Sequence, residues 1–174
     1  MKYAWVGFLW IFISCNGCRD KQAASEMTYE EMQKELIETN KAKLKEEKAA
    51  ILKFIEKKKW KMTETGTGLF YEIYQKGSGE KAKEGDVVVL SYTVSLLDGK
   101  VCYSSTPANP SHFKVGEDNV ETGLHEVVQY LSVGDKAHVV LPSHRAFGFT
   151  GDSSKIPQDA SVVYDIELLA IEHP

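Results

Sequence analysis

No glycine or proline interrupts the chain from Thr28 to Trp60, whereas all five prolines and eleven of the thirteen glycines lie beyond Thr65. Gly and Pro are the strongest breakers of regular structure, so this asymmetry divides the chain into one uninterrupted element and a turn-rich remainder. Ala, Leu, Lys and Glu dominate the unbroken stretch, and Thr28-Tyr29-Glu30-Glu31 has the T-x-x-E form of a capping box. The reading is one long helix over residues 28–61, on the order of 50 Å at 1.5 Å per residue. Ile37, Leu44 and Ile51 recur every seven residues, joined by Met32, Leu36, Phe54 and Ile55, but Asn40 and Glu47 stand where a continuous coiled-coil seam wants apolar side chains. The helix is therefore read as a spacer that supports at most a weak dimer. Its last turns, with Ala50, Ile51, Phe54, Ile55 and Trp60, are expected to pack on the turn-rich C-terminal domain. Lys57, Lys58, Lys59 and Lys61 suit the negative end of the helix dipole, or an acidic membrane surface.

Ahead of the helix, Met1-Lys2 and the apolar run Tyr3–Ser14 have the form of a secretory signal peptide, too short for the roughly 20 residues of a spanning helix. Residues 1–14 are read as that signal and 15–27 as a flexible tether. The run ends against Cys15, with Cys18 close behind, and resembles a bacterial lipoprotein signal. That resemblance implies lipidation at Cys15, with Cys18 the alternative, and an exported protein held by its lipid to an envelope membrane, facing the periplasm. A Cys15–Cys18 disulfide, or a soluble periplasmic product, is the competing reading. Cys102 then stands alone in the folded part, so no disulfide framework is implied. A net charge of -4 supplies no basic field for nucleic acid.

Residues 62–174 alternate short apolar runs with turns. Leu69–Gln75, Asp86–Leu97, Lys100–Ser105, Lys136–Leu141 and Ser161–Ile171 read as strands, with a hairpin signal at Asp98-Gly99. One amphipathic helix is expected over Val120–Leu131, because Val120, Leu124, Val127, Val128 and Leu131 share a face. The fold class is α+β, an antiparallel sheet wrapped around one short helix and preceded by the long one. From Pro142 through Gly148 and Gly151 to Ile156-Pro157 the chain is punctuated as a long shaped loop, a plausible pocket wall.

This loop, Leu-Pro-Ser-His-Arg-Ala-Phe-Gly-Phe-Thr-Gly with Ile-Pro after it, resembles the pocket loop of FKBP-type peptidyl-prolyl cis-trans isomerases. The resemblance continues through Ser91-Tyr92-Thr93, Leu97-Asp98-Gly99-Lys100, Phe113–Gly116, Val120–Leu124, Leu131–Ala137 and Val163–Leu169, in the family's order and spacing. It implies that Tyr92, Val120, Leu124, Phe147, Ile156 and Tyr164 line a prolyl pocket and that the Glu121 N–H meets the substrate carbonyl. Leu124 replaces a frequent tryptophan. Cys102 replaces a usual phenylalanine, Tyr103 a usual aspartate, and Phe147 a usual tyrosine.

Prolyl isomerisation needs no nucleophile. The barrier of about 18–20 kcal/mol is amide resonance, which an apolar cavity with one fixed N–H donor can weaken in favour of the twisted amide. The expected function is prolyl isomerisation of exported envelope proteins, with activity reduced by the lost carboxylate at Tyr103 and hydroxyl at Phe147. The expected partners are extended Pro-containing segments. The alternative is a non-catalytic binding module or chaperone for Pro-containing segments; the sequence also loosely resembles isomerase-like lipoproteins of bacterial gliding, which depart at the same polar positions and imply a part in an envelope or gliding apparatus. No cofactor is expected. His112, His125, His138, His144 and His173 have no metal-ligand spacing, and Gly151–Lys155 lacks the end of a phosphate loop.

Overall fold

The computed structural model describes residues 28–173; the signal, tether and Cys15 expectations lie outside the described residues. Helix α1 spans Tyr29–Lys58. Its start is the capping box read from the sequence. The Glu31 N–H donates to Thr28 Oγ1 at 3.3 Å, and the Thr28 N–H donates back to Glu31 Oε2 at 2.9 Å. It ends where Lys59 takes a positive φ of 59°, so the chain turns out of the helix. From Glu38 onward α1 belongs to the same compact unit as the sheet.

Seven antiparallel strands come next: β1 (Thr63–Glu64), β2 (Phe70–Gln75), β3 (Val87–Leu96), β4 (Val101–Ser104), β5 (Ser111–Lys114), β6 (Lys136–Leu141) and β7 (Val162–Glu172). They are ordered β1-β2-β6-β7-β3-β4, and β5 pairs with the first half of β3. The β3–β4 turn is the Asp98-Gly99 hairpin, with Gly99 at a φ of 93° that only glycine adopts without cost. Between β5 and β6, helix α2 covers only Thr122–Val128, shorter than the expected Val120–Leu131. Gln129, Tyr130 and Leu131 donate to carbonyls three residues back. This tighter winding turns Leu131 into the core, where it is fully buried.

Alternation along the strands separates two apolar layers. Val139, Leu141, Tyr164, Ile166 and Leu168 face α2 with Leu124, Val127, Val128 and Leu131 in the main core. Val140 and Val163, cross-strand partners, face the other way with Phe70 and receive Ile51 and Phe54 of α1. Two side chains of that size contribute about 1.5–3 kcal/mol each when buried, so the end of α1 is a cover for the sheet. Ile55 and Trp60 pack beside them as expected, while Ala50 stays exposed. The seven-residue row does not act as one stripe: Ile51 is buried, but Ile37 and Leu44 are about half exposed, at 53% and 49%.

Candidate active site

A cavity of about 300 Å³ opens between the main-core face of the sheet and the start of α2. Leu90, Tyr92 and Val94 reach it from alternate positions of β3, Tyr103 from β4, Ser111, His112 and Phe113 from β5, and Tyr164 from β7. Val120 and Glu121 close it just before α2, Leu124 from within α2, and Phe147 from the loop after β6. Its size is at the lower end for a small-molecule pocket, and its walls are mostly apolar with a few convergent polar groups.

Of the residues expected to form a prolyl pocket, Tyr92, Val120, Glu121, Leu124, Phe147 and Tyr164 line this cavity. Ile156 is buried in the main core instead of along the lining, and so is Cys102, whose Sγ points to the Lys100 and Lys155 carbonyls at 3.7 and 3.6 Å. The β3–β4 register shifts at Cys102, an extra residue between the Val94–Tyr103 and Ser95–Val101 pairs, so Cys102 and Tyr103 both turn to the main-core side, the cysteine buried and the tyrosine at the opening.

The rim is polar in a way the sequence pattern hides. Tyr164, almost fully buried, donates from its hydroxyl to Glu121 Oε1 at 2.7 Å. Burial first, then the adjacent Glu121 carboxylate, pushes the Tyr164 hydroxyl well above the usual tyrosine range, so it stays a donor. The Glu121 backbone stands at φ -58° and ψ 136° at the head of α2, and its N–H has no acceptor among the described residues. Tyr92 leans on Tyr164 with ring centres 5.8 Å apart, and its N–H is held by Ser105 Oγ at 3.1 Å.

Across the opening, the Tyr103 hydroxyl donates to Asp152 on the loop. The other Asp152 oxygen accepts the N–H groups of Ser154 at 2.9 Å and Ile156 at 2.8 Å. The Tyr103 bond first, then these backbone donors, hold the Asp152 carboxyl down to about 2, and Tyr103 is correspondingly raised by the same bond. Sequence reasoning counts Tyr103 as a lost carboxylate and passes over Asp152. The two are 49 residues apart, and only the Asp-x-Ser turn signature of the loop marks Asp152 locally. Lys155 completes this corner, with Nζ 2.7 Å from the Cys102 carbonyl and 4.7 Å from the Tyr103 ring centre.

The loop itself is fitted by close approach. Gly151 has a φ of 64°, and a Cβ there would meet the Ile156 carbonyl oxygen at 2.2 Å. At its start Arg145 pairs with Glu126 of α2 at 2.7 Å, packed so tightly on Gly123 that a Cβ would lie 3.0 Å from the Arg145 oxygen. On the loop's other side a larger, open groove of about 1040 Å³ runs against α1, lined by Leu44, Ala50, Phe149 and Ala160 among others. The smaller cavity is the one that brings the residues of the expected prolyl pocket together, with Glu121, whose N–H has no acceptor among the described residues, in its lining. Among the described residues no cluster of His, Cys, Asp and Glu is arranged to hold a metal ion.

An antiparallel sheet closed by a short helix, with an apolar pocket at the helix start, defines the class. Residues 78–169 match the FKBP-type peptidyl-prolyl cis-trans isomerase family, and the chain belongs to it. It is 41% identical over 118 residues to the FKBP-type isomerase FkpA of Aeromonas hydrophila, covering 67% of this chain and 43% of that one. It is 31% identical over 147 residues to a probable FkpA of Neisseria meningitidis, covering 83% and 54%. The crystal structure of a peptidyl-prolyl isomerase from Pseudomonas syringae superposes with a TM-score of 0.64 at 30% identity, over 76% of this chain and 96% of that one. The chain thus spans about half the length of these FkpA relatives.

Proposed function

We propose that the chain catalyses cis-trans isomerisation of X-Pro bonds in extended segments of exported proteins, from a position held by lipid at Cys15 on an envelope membrane. The observation that carries the catalytic part is the Glu121 N–H, which has no acceptor among the described residues and belongs to a residue lining the apolar cavity beside Tyr164. A proline ring seated on Leu124 would bring its preceding carbonyl to that donor, one fixed bond that orients the carbonyl in place of its fuller water shell. Out of water, the charge-separated planar amide loses its solvation, and the twisted amide, which keeps less charge on oxygen, loses less. Phe147 and Tyr92 exclude water, and the Tyr164 hydroxyl fixes the Glu121 side chain. No bond to the substrate forms, and no proton needs to leave an enzyme group.

Activity below that of family members with a full set of polar groups is expected from Phe147, which offers no hydroxyl. Tyr103 takes a different part: its bond to Asp152 ties β4 to the loop, so the change from aspartate is offset. No helix of the described residues is long and apolar enough to cross a membrane. Refolding of a protein limited by a native cis-proline should accelerate with catalytic amounts of the chain and should not with Phe147→Ala. Acceleration that needs stoichiometric chain would instead indicate a holding chaperone. Mass spectrometry of the membrane fraction should find an acylated peptide beginning at Cys15; acylation at Cys18, or a soluble product, would overturn the anchor.

A further inference from the structure

We propose that Glu47, on α1, is a positioning residue for the loop that walls the cavity, so that the N-terminal helix takes part in the isomerase's work; this rests on the isomerase function proposed for the cavity. Glu47 stands one turn before Ile51 on the stripe that α1 buries against the sheet. Docking alone would be served by an apolar side chain there. Instead the half-buried carboxylate accepts three hydrogen bonds, all from the domain. The Ser143 N–H donates to Oε1 at 2.6 Å, the Ser161 hydroxyl donates to the same oxygen at 2.7 Å, and the Ser143 hydroxyl donates to Oε2 at 3.2 Å.

Ser143 and Ser161 are the two feet of the loop, eighteen residues apart in the chain and both buried. Loops of that length without strands of their own are uncommon, and closing their ends costs entropy. One carboxylate from a third element fixes both ends. Between the feet lie Phe147, which lines the cavity, Asp152, which receives the Tyr103 hydroxyl, and Ile156 in the core. The clamp therefore sets where Phe147 stands relative to the Glu121 N–H. A misplacement of about 1 Å in a group that shapes a transition state can cost on the order of a hundredfold.

The test uses the full chain and three variants: Glu47→Ala, Glu47→Gln and Ile51→Val. Glutamine keeps an oxygen for the Ser143 N–H and the Ser161 hydroxyl, and the Ser143 hydroxyl can turn to accept from its amide. Ile51→Val lowers stability on the same helix without touching the clamp. In Glu47→Ala, amide exchange at Gly148 and Ile156 should quicken while β6 and β7 stay protected, and kcat/KM on a proline peptide should fall about tenfold. Glu47→Gln should stay within about twofold, and Ile51→Val should lose Tm but not kcat/KM. Unchanged loop exchange in Glu47→Ala, or quickened exchange with unchanged kcat/KM, or an equal fall in kcat/KM for Ile51→Val, would overturn the proposal. A parent chain without isomerase activity would sink the catalytic reading, and the exchange arm would still decide whether Glu47 holds the loop.

Discussion

The sheet side of the cavity and its loop side are held by different physics. Leu90, Tyr92, Val94, Phe113 and Tyr164 stand on strands whose ladders and buried neighbours fix them, so their positions come from the same core that makes the fold stable. Phe147 stands on a long loop whose position comes from polar contacts reaching in from β4, α2 and α1: Tyr103 to Asp152, Glu126 to Arg145, Glu47 to Ser143 and Ser161. Side chains on the first wall couple stability to activity. Those on the second can change activity while the fold stays intact.

The largest effect separates the walls from the stability side. Ile166→Ala removes a fully buried side chain of β7 and should cost about 2–5 kcal/mol in denaturant unfolding. A loss under about 1 kcal/mol would mean that the sheet wall is not fixed by core packing. Next, Gly151→Ala forces a side chain into positive φ and onto the Ile156 carbonyl. That strain, on the order of 1–3 kcal/mol, should appear as at least a tenfold fall in kcat/KM with a smaller change in Tm than Ile166→Ala gives.

Smaller effects test the polar groups singly. Phe147→Tyr should raise kcat/KM severalfold, up to about tenfold, because one net hydrogen bond is worth about 0.5–1.5 kcal/mol. Adding Tyr103→Asp to it should cancel that gain, since a second carboxylate would replace the donor that Asp152 now binds. If the double change improves on Phe147→Tyr alone, Tyr103 is a loss and not a tie. The smallest effect is one of pH. The Asp152 carboxyl lies at about 2 in the folded chain, against 3.8 ordinarily. Its contribution is therefore fully present above about pH 4 and lost as pH falls through about 2. Amide exchange at Ser154 and Ile156, corrected for intrinsic pH dependence, should lose protection in that window. Asp152→Asn should flatten the loss.

What can be read from the sequence divides along the same line. The helix from Thr28, the five strands read from the sequence, the hairpin at Asp98-Gly99 and the inward Val120–Leu124 segment obey local patterns of capping, alternation and turn chemistry and stand close to where those patterns put them, whereas the short β1 and β5, the latter bringing Ser111, His112 and Phe113 to the cavity, are too brief to show such a pattern. The apolar spacing overestimates the end of α2, because Leu131 keeps the helical period while the chain has already tightened. Glu47 looks like a flaw in a coiled-coil row because a row carries no information about a partner a hundred residues away. Ser143 and Ser161 give no local sign that they await a carboxylate. Tyr103 looks like a lost acid for the same reason, since Asp152 reaches it only through the fold. Long-range polar pairing leaves no period in a sequence, whereas packing does.

Catalysis at this cavity is tested most directly by exchange NMR of a short Ala-Leu-Pro-Phe-type peptide, tracking its cis and trans signals with the full chain at a few per cent of the peptide concentration. The account predicts exchange above the uncatalysed rate, abolished or nearly so by Phe147→Ala and strengthened by Phe147→Tyr. Binding of the peptide without any gain in exchange, in the parent chain and in Phe147→Tyr alike, would contradict it and leave the cavity a site that holds proline segments without turning them.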